Sequence, residues 1–157
     1  MTHAVVALGS NLGERRVTLD RAIAELGRLP TTRVIAVSRW IETEPVDAPP
    51  GSPAFLNGAT LIDTGLPPLE LLEQLLGIER AHGRTRGTPN AARTLDLDLV
   101  LHGTSVVDTD DLVLPHPRAH ERAFVLGPAA DVAPDMLHPV QGRTLRALCT
   151  ALTEWQA

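Results

Sequence analysis

The sequence predicts an α+β fold, a ferredoxin-like split βαβ antiparallel sheet with helices on one face. Two observations predict it. Candidate strands and helices follow one another in the order β-α-β-β-α-β, and each segment shows apolar residues at strand or helix spacing. A chain of 157 residues is long enough for one domain with a hydrophobic core. We therefore expect a single domain over residues 1–157, with the second face of its sheet left free.

The first strand and helix are marked by an apolar run and a helical repeat. Residues 5–8 form a short apolar strand, and the turn that follows offers Ser10 or Asn11 as a helix cap. Apolar side chains at helical spacing then run from residue 19 to residue 26. The helix is expected to end at Gly27.

The second half of the pattern starts with a strand over residues 32–43, followed by a proline-rich loop over 45–53. Residues 55–64 form a third strand. Pro67 and Pro68 suit the first turn of a helix that ends near Gly83. We predict the apolar face of this helix from five of its residues: Leu69, Leu72, Leu75, Leu76 and Ile78.

The most informative segment is the last strand of the pattern, where Asp and Leu alternate. Side chains two apart point to the same face of a strand, so Asp96 and Asp98 lie together. Two neighbouring carboxylates repel each other unless a cation screens them, and Mg²⁺ prefers oxygen ligands and bridges substrate phosphates. The alternation also fits a half-buried strand that shows solvated aspartates to water. The opposite face is predicted to carry Leu95, Leu97, Leu99 and Leu101.

A cluster of arginines precedes this strand. Residues 79–93 hold four arginines against one acid, in a chain whose formal net charge is −5. Guanidinium groups bind phosphate oxygens, so the segment predicts an anion site, although a solvated basic loop has the same composition. All 14 basic residues are arginine, and the absence of lysine excludes a Walker A loop and Schiff-base lysine chemistry. Carboxylates and arginines together favour phosphoryl transfer.

The amino-acid composition indicates which partners and which cellular compartment to expect. The negative net charge, with 3% aromatic residues and no tyrosine, argues against a nucleic-acid partner. No apolar run is long enough for a signal peptide or a membrane span, so we expect a cytoplasmic protein without a membrane partner. The single cysteine, Cys149, is expected in a buried apolar position. His116 and His120 lie beyond a short hairpin over residues 106–114, and we expect no zinc site there.

Five motifs in the right order resemble the 6-hydroxymethyl-7,8-dihydropterin pyrophosphokinase family of folate biosynthesis. The resemblance implies transfer of pyrophosphate from ATP to the hydroxymethyl group of the pterin, which gives AMP and the pterin diphosphate. It also implies a monomer whose partners are small-molecule substrates. The motifs are ALGSNLG at 7–13, FLNGA at 55–59, IERAHGRTR at 78–86, ARTLDLDLVLHG at 92–103 and LPHPRAHERAFVLGPAADVAP at 114–134.

The resemblance also implies a role for each matching position on the nucleotide side. Asp96 and Asp98 are similar to the ligands of two Mg²⁺ ions that bridge the phosphates of ATP. Leu99 and Val113 match residues whose backbones hold adenine, and Glu79 matches a glutamate on the helix lining the nucleotide site. The groups expected to contact phosphates and assist catalysis are Arg84, Arg93 and His116, with Arg122 as a further phosphate ligand and Arg86 adjacent to them.

On the pterin side, Asn57 resembles the residue that reads the edge of the ring, and Phe55 and Phe124 resemble its aromatic neighbours. The loop completing this pocket corresponds to Thr43, Pro45 and Val46. The chain departs from the family pattern at Glu44 and Leu76 and lacks a tryptophan in the arginine loop. Loops 44–54 and 84–92 are expected to close over the substrates. Two alternatives remain: a non-catalytic pterin or nucleotide sensor on the same scaffold, and a ferredoxin-like RNA-binding module.

Overall fold

The computed structural model describes residues 1–11, 13–44, 50–51, 53–83 and 95–156 of the chain. In these residues, the strands of a central sheet are β1 (Thr2–Ser10), β2 (Thr32–Val37), β3 (Ile41–Thr43), β4 (Phe55–Thr64) and β5 (Asp96–His102). Their order is β2-β4-β1-β5 with antiparallel neighbours, and the short strand β3 pairs with β4. This is the order expected of a split βαβ sheet.

The other elements follow the same chain order. A two-stranded hairpin and a single turn of 3₁₀ helix at Ala119–Glu121 lie between β5 and the last two helices. The predicted hairpin over residues 106–114 is confirmed. These elements are α1 (Arg15–Leu26), α2 (Pro68–Ala81), β6 (Val107–Asp108), β7 (Val113–Leu114), α3 (Ala123–Val132) and α4 (Leu145–Gln156).

Helices α1 and α2 cover one face of the sheet, as predicted. Leu19 and Leu26 of α1 are fully buried in the same apolar cluster as Leu71 and Leu75 of α2. The predicted apolar face of α2 is wrong in part, since Leu69 is 47% exposed and Leu71 was left out of it. Positions 71, 75 and 78 share one side of the helix because each residue advances the helix by about 100°.

The opposite face of the sheet is not free, which corrects the expectation that helices lie on one face only. Helices α3 and α4 pack there, and their Leu126 and Leu145 form a second apolar cluster with Val5 of β1. The reason lies in β1, whose residues 4–8 are apolar without interruption. A strand that is apolar on both sides needs an apolar cover on both sides.

The predicted strand over residues 32–43 is two strands, because the ladder is interrupted at Ser38. The hydroxyl of Ser38 accepts a hydrogen bond from the backbone N–H of Ala59 at 2.8 Å and donates one to the carbonyl of Arg39 at 2.8 Å. The ring of Trp40 then lies over Gly58, where an added Cβ would be 2.3 Å from Trp40 Cε3. Only glycine allows this approach.

A bulge in β5 changes which residues share a face. Val6 pairs with Leu99 and Val5 pairs with Leu101, so Val100 is an extra residue between two paired positions. Leu101 therefore packs in the α3–α4 cluster, which corrects its predicted place on the face of the other leucines. Val100 lies on the side of the two aspartates by alternation, and the bulge brings Leu101 to that side as well.

Candidate active site

A cleft of about 540 Å³ opens on the α3 side of the sheet, where β4, β1 and β5 lie next to one another. It brings together eight of the residues predicted for the site, from segments far apart in the chain. The residues that line it are Ala7, Thr43, Glu44, Phe55, Asn57, Asp96, Asp98, Val100, His116, Arg118, Arg122, Phe124 and Val125.

The floor of the cleft is made of small residues on the central strand β1. Gly9 pairs with Asn57 on one side and with Asp96 on the other, so these three residues form one row across the sheet. In the next row that faces the cleft, Ala7 pairs with Asp98. Small side chains between the two flanking strands leave room for a ligand. The flanking strands are two strand spacings apart, roughly 10 Å.

One side of the cleft carries the charged groups, and we call Asp96, Asp98, His116, Arg118 and Arg122 the charged wall. The two aspartates lie on one face of β5, as the alternation predicted. In the part of the chain that the structure describes, no group of three or more His, Cys, Asp or Glu is placed to hold a metal ion. Two carboxylates suit Mg²⁺, which is commonly bound through one or two carboxylates together with substrate phosphates.

Glu79 stabilises the part of β5 that carries the two aspartates. Its side chain is 2% exposed on α2, and its carboxylate oxygen Oε2 accepts a hydrogen bond of 2.7 Å from the backbone N–H of Leu97. Leu97 lies between the two aspartates, so this bond fixes the segment of β5 that presents them. Glu79 is not among the residues that line the cleft, and its predicted nucleotide contact stays a prediction.

His116 is held in a defined position and protonation state. Its backbone N–H donates to the carbonyl of Val100 at 2.9 Å, which ties it to the bulge of β5. Burial lowers the pKa of His116 below the usual 6.5, Arg122 lowers it further, and Asp96 opposes them. The imidazole is therefore neutral at neutral pH. The N–H of Arg118 donates to its Nδ1 at 3.4 Å, which leaves the proton on Nε2 as a donor.

Arg122 directly precedes α3 and points its charge across an aromatic ring. Its guanidinium carbon lies 5.9 Å from the centre of the Phe124 ring, within the range of a cation–π contact. Both residues line the cleft. Arg118 lies one turn earlier, and sequence reasoning missed it. The signal available was its position two residues after His116, in a segment already matched to the family.

The other side of the cleft carries three uncharged groups next to Glu44, and we call Thr43, Phe55 and Asn57 the amide wall. Asn57 is 8% exposed, and its amide Nδ2 donates to the hydroxyl of Thr43 at 2.5 Å. An added Cβ at Gly9 would lie 2.8 Å from Asn57 Oδ1, so glycine is needed to accommodate this amide. Phe55 pairs with Thr43 across β4 and β3.

Two side chains, one just after β1 and one at the start of α1, hold the segment before β4 in place. Asn11 donates to the carbonyl of Pro53 at 3.2 Å, and Arg15 donates to the carbonyl of Ala54 at 2.8 Å. The prediction that Ser10 or Asn11 caps the first helix is wrong: Glu14 is the N-cap residue, without a side-chain hydrogen bond. Asn11 instead anchors the chain next to the cleft.

Several predicted site residues lie elsewhere. The side chain of Leu99 packs in the α1–α2 cluster, and Val113 is 39% exposed on β7. Neither lines the cleft, and the roles predicted for them concern their backbones. The remaining predicted residues lie outside the described residues: Arg84, Arg86, Arg93, Pro45 and Val46.

Comparison with known proteins identifies the family. Residues 5–134 match the model of the family described as 7,8-dihydro-6-hydroxymethylpterin-pyrophosphokinase (HPPK). A protein of Pseudomonas aeruginosa named 2-amino-4-hydroxy-6-hydroxymethyldihydropteridine pyrophosphokinase is 45% identical over 146 residues, which are 93% of this chain and 89% of that protein. A protein of the same name from Bacillus subtilis is 43% identical over 82% of this chain and 77% of its own length.

A solved structure supports the fold. The chain superimposes on a Plasmodium falciparum HPPK-DHPS crystallised with pterin and p-hydroxybenzoate, with a TM-score of 0.74 and 15% identity. The match covers 98% of this chain and 44% of that chain, so this chain spans less than half of the solved protein. The ferredoxin-like fold class predicted from the sequence is confirmed. The resemblance seen in the motifs is confirmed as well, and the chain belongs to the 7,8-dihydro-6-hydroxymethylpterin-pyrophosphokinase family.

Proposed function

We propose that the cleft binds ATP with Mg²⁺ at the charged wall and 6-hydroxymethyl-7,8-dihydropterin at the amide wall, so that both substrates meet over the floor of β1. The chain is a pyrophosphokinase of folate biosynthesis by its family, and the proposal concerns how its residues perform that transfer. The observation that carries it is the row Asn57–Gly9–Asp96, which places an amide and a carboxylate on either side of a glycine.

The reaction joins the hydroxymethyl oxygen of the pterin to the β-phosphorus of ATP. The bond from the β-phosphorus to the oxygen that bridges it to the α-phosphorus breaks, AMP leaves with that oxygen, and the attacking hydroxyl loses its proton. Such transfers depend mainly on alignment of the reactants and neutralisation of phosphate charge. A cleft that holds both substrates on one rigid sheet supplies the alignment.

The charged wall supplies the neutralisation. Asp96 and Asp98 would hold Mg²⁺, in our proposal two ions, which when bound neutralise and polarise the phosphate oxygens. His116 offers a neutral Nε2–H donor, and Arg122 offers a fixed positive charge beside the aspartates. Arg84 and Arg93 are proposed as further phosphate ligands from the resemblance alone.

The amide wall supplies recognition of the pterin. A flat heterocycle with donors and acceptors along its edge suits the amide of Asn57, whose orientation is fixed by Thr43. Phe55 and Phe124 line the same cleft and offer ring surfaces for contact with the heterocycle. Pro45 and Val46 are proposed to complete this pocket.

The proposal includes a monomer that acts in the cytoplasm on small molecules, without a nucleic-acid or membrane partner. The acidic net charge supports the exclusion of nucleic acid. Among the described residues, no helix is both long and apolar enough to cross a membrane.

The test is AMP release from ATP, measured with and without the hydroxymethyl pterin. We expect AMP only when the pterin and Mg²⁺ are both present. Asp96→Asn and Asp98→Asn should each lower kcat by roughly a hundredfold to a thousandfold, the range seen when one preorganised electrostatic group is removed. Asp135→Asn, which changes the same charge on an exposed residue paired with Arg146, should leave kcat unchanged. A sensor would bind both compounds and release no AMP, and normal turnover of both variants would contradict the proposed metal site.

A further inference from the structure

We infer that Arg118 binds the phosphate chain of ATP as a third contact of the charged wall, beside His116 and Arg122. The inference rests on the proposed function, since it assumes that ATP lies along this wall. It goes beyond the residues predicted from the sequence, which did not include Arg118. It depends on where the backbone of Arg118 is fixed, on the charge balance of the cleft and on the weakness of its present ion pair.

The backbone around Arg118 is fixed while its side chain is not. The carbonyl of Arg118 accepts from the N–H of Glu121 at 3.0 Å, and its own N–H donates to His116 Nδ1 at 3.4 Å. Ala119 is 3% exposed and anchors this turn in the α3–α4 cluster. The side chain of Arg118 is 64% exposed and lines the cleft. A long cationic side chain on a fixed base can reach a ligand with little cost in backbone order.

The charge balance of the described lining is negative. Three acidic side chains, Glu44, Asp96 and Asp98, face the cleft with two arginines, Arg118 and Arg122. A polyphosphate adds several negative charges, which need cations from the protein as well as from Mg²⁺. Arg118 therefore supplies half of the arginine charge among the described residues that line this cleft.

The present partner of Arg118 holds it weakly. Its Nε lies 3.8 Å from Glu121 Oε2, and the two side chains are 64% and 58% exposed. An ion pair between exposed groups at this separation contributes little stability. A phosphate offers arginine two charge-assisted hydrogen bonds in fork geometry, which are stronger. Arg118 can thus exchange Glu121 for a phosphate oxygen at a small cost in free energy.

The test compares Arg118→Gln with Arg146→Gln. Both changes remove one positive charge from a side chain that is about two-thirds exposed and paired with an acid, and Arg146 lies outside the cleft, on α4. We expect Arg118→Gln to raise the KM for ATP and the Kd for a non-hydrolysable ATP analogue with Mg²⁺ by roughly fivefold to tenfold. The KM for the pterin should not change, and kcat should stay within about twofold. Arg118→Lys should recover part of the affinity, and the effect should shrink as salt rises.

Glu121→Gln provides a second readout because it removes the group that competes for Arg118. We expect it to tighten binding of the ATP analogue, and to have no such effect when Arg118 is already replaced by Gln. The inference is overturned if Arg118→Gln binds the analogue as Arg146→Gln does, or if it changes kcat and the pterin KM as much as the ATP KM. Either result leaves the proposed function standing as long as Asp96→Asn shows its expected loss of kcat, so the two failures are distinguishable.

Discussion

The amide wall and the charged wall of the cleft are built on opposite principles. Asn57 is buried, with its amide bonded to Thr43 and its side chain accommodated by Gly9. The side chain of Arg118, on the charged wall, is mostly exposed and pairs with Glu121 at 3.8 Å. In our proposal, the amide wall is already arranged to fit the shape and edge of the heterocycle before the pterin binds. The two exposed charges of the charged wall, Asp98 and Arg118, are proposed to gain their order from the metal and the phosphates that bind there.

Among the substitutions that test this difference between the walls, Gly9→Ala should have the largest kinetic effect, because Gly9 lies in the row between them. The new Cβ would lie 2.8 Å from Asn57 Oδ1 and would push the amide away from its position. The added methyl group would also occupy part of the floor on which the substrates meet, so the effect should exceed loss of the amide alone. Misplacement of a substrate by about 1 Å can cost roughly a hundredfold in rate, and we expect a fall of that order in kcat/KM for the pterin. Steady-state kinetics with the pterin as the varied substrate measures it.

Gly127→Ala is the matched control for this substitution. An added Cβ at Gly127 in α3 would meet no atom within 4 Å. The change should therefore leave the kinetics unchanged and slightly stabilise the helix. Equal effects of the two glycine substitutions would show that the floor of the cleft is not constrained as we describe.

A smaller effect, confined to the amide wall, is expected from Asn57→Ala. Loss of the hydrogen bonds from the amide to the pterin should raise the KM for the pterin by roughly tenfold, or about 1.4 kcal/mol. The affinity for ATP should change by less than about twofold because we propose that the phosphates bind at the charged wall, across the floor from Asn57. Thr43→Val, which removes only the hydroxyl that orients the amide, should have a weaker effect in the same direction. A change in ATP affinity as large as that in pterin affinity would contradict the division into two walls.

The smallest expected effect is on the charged wall and depends on pH. Burial, together with Arg122, lowers the pKa of His116 below 6.5, so the free enzyme holds it neutral near pH 7. ATP adds negative charge nearby and favours the protonated form, so its binding should strengthen as pH falls from 7.5 toward the lowered pKa. We expect a gain of a few fold in affinity for an ATP analogue, measured by calorimetry, that is lost in His116→Gln.

The same pH range affects the stability of the fold through His138, which is 4% exposed. Its pKa is lowered by burial and by nearby His120, and its Nδ1 accepts hydrogen bonds from the N–H groups of Val140 and Gln141. The folded state favours neutral His138. Its contribution to the free energy of unfolding is therefore fully present above pH 6.5 and is lost as the pH drops toward the lowered pKa. Binding measurements are therefore paired with a thermal melt at each pH.

The sequence predicted those parts of the structure whose cause is local. The alternation of Asp and Leu correctly put Asp96 and Asp98 on one face, and the strand over residues 55–64 has the predicted bounds. Helix α3 was missed because Gly127 and Pro128 interrupt its helical pattern. The bulge at Val100 was missed because an extra residue in a strand depends on its partner strand.

Only those residues of the candidate site whose side-chain chemistry is itself a signal could be predicted from the sequence. The carboxylates and His116 are chemical signals that mark a polar site. Glu79 carries the same chemistry, and the sequence cannot show that its carboxylate bonds to the backbone of β5 instead of facing the cleft. Arg118 was missed for a related reason, since an exposed arginine paired with Glu121 resembles many surface arginines.

The central claim is that one cleft joins the nucleotide and the pterin across the floor of β1. The most direct test is a crystal structure with Mg²⁺, a non-hydrolysable ATP analogue and the hydroxymethyl pterin. We predict metal ions on Asp96 and Asp98, phosphates beside His116 and Arg122, and the pterin ring against Asn57. A structure in which the two aspartates bind no metal while the nucleotide and the pterin occupy other surfaces would contradict the account.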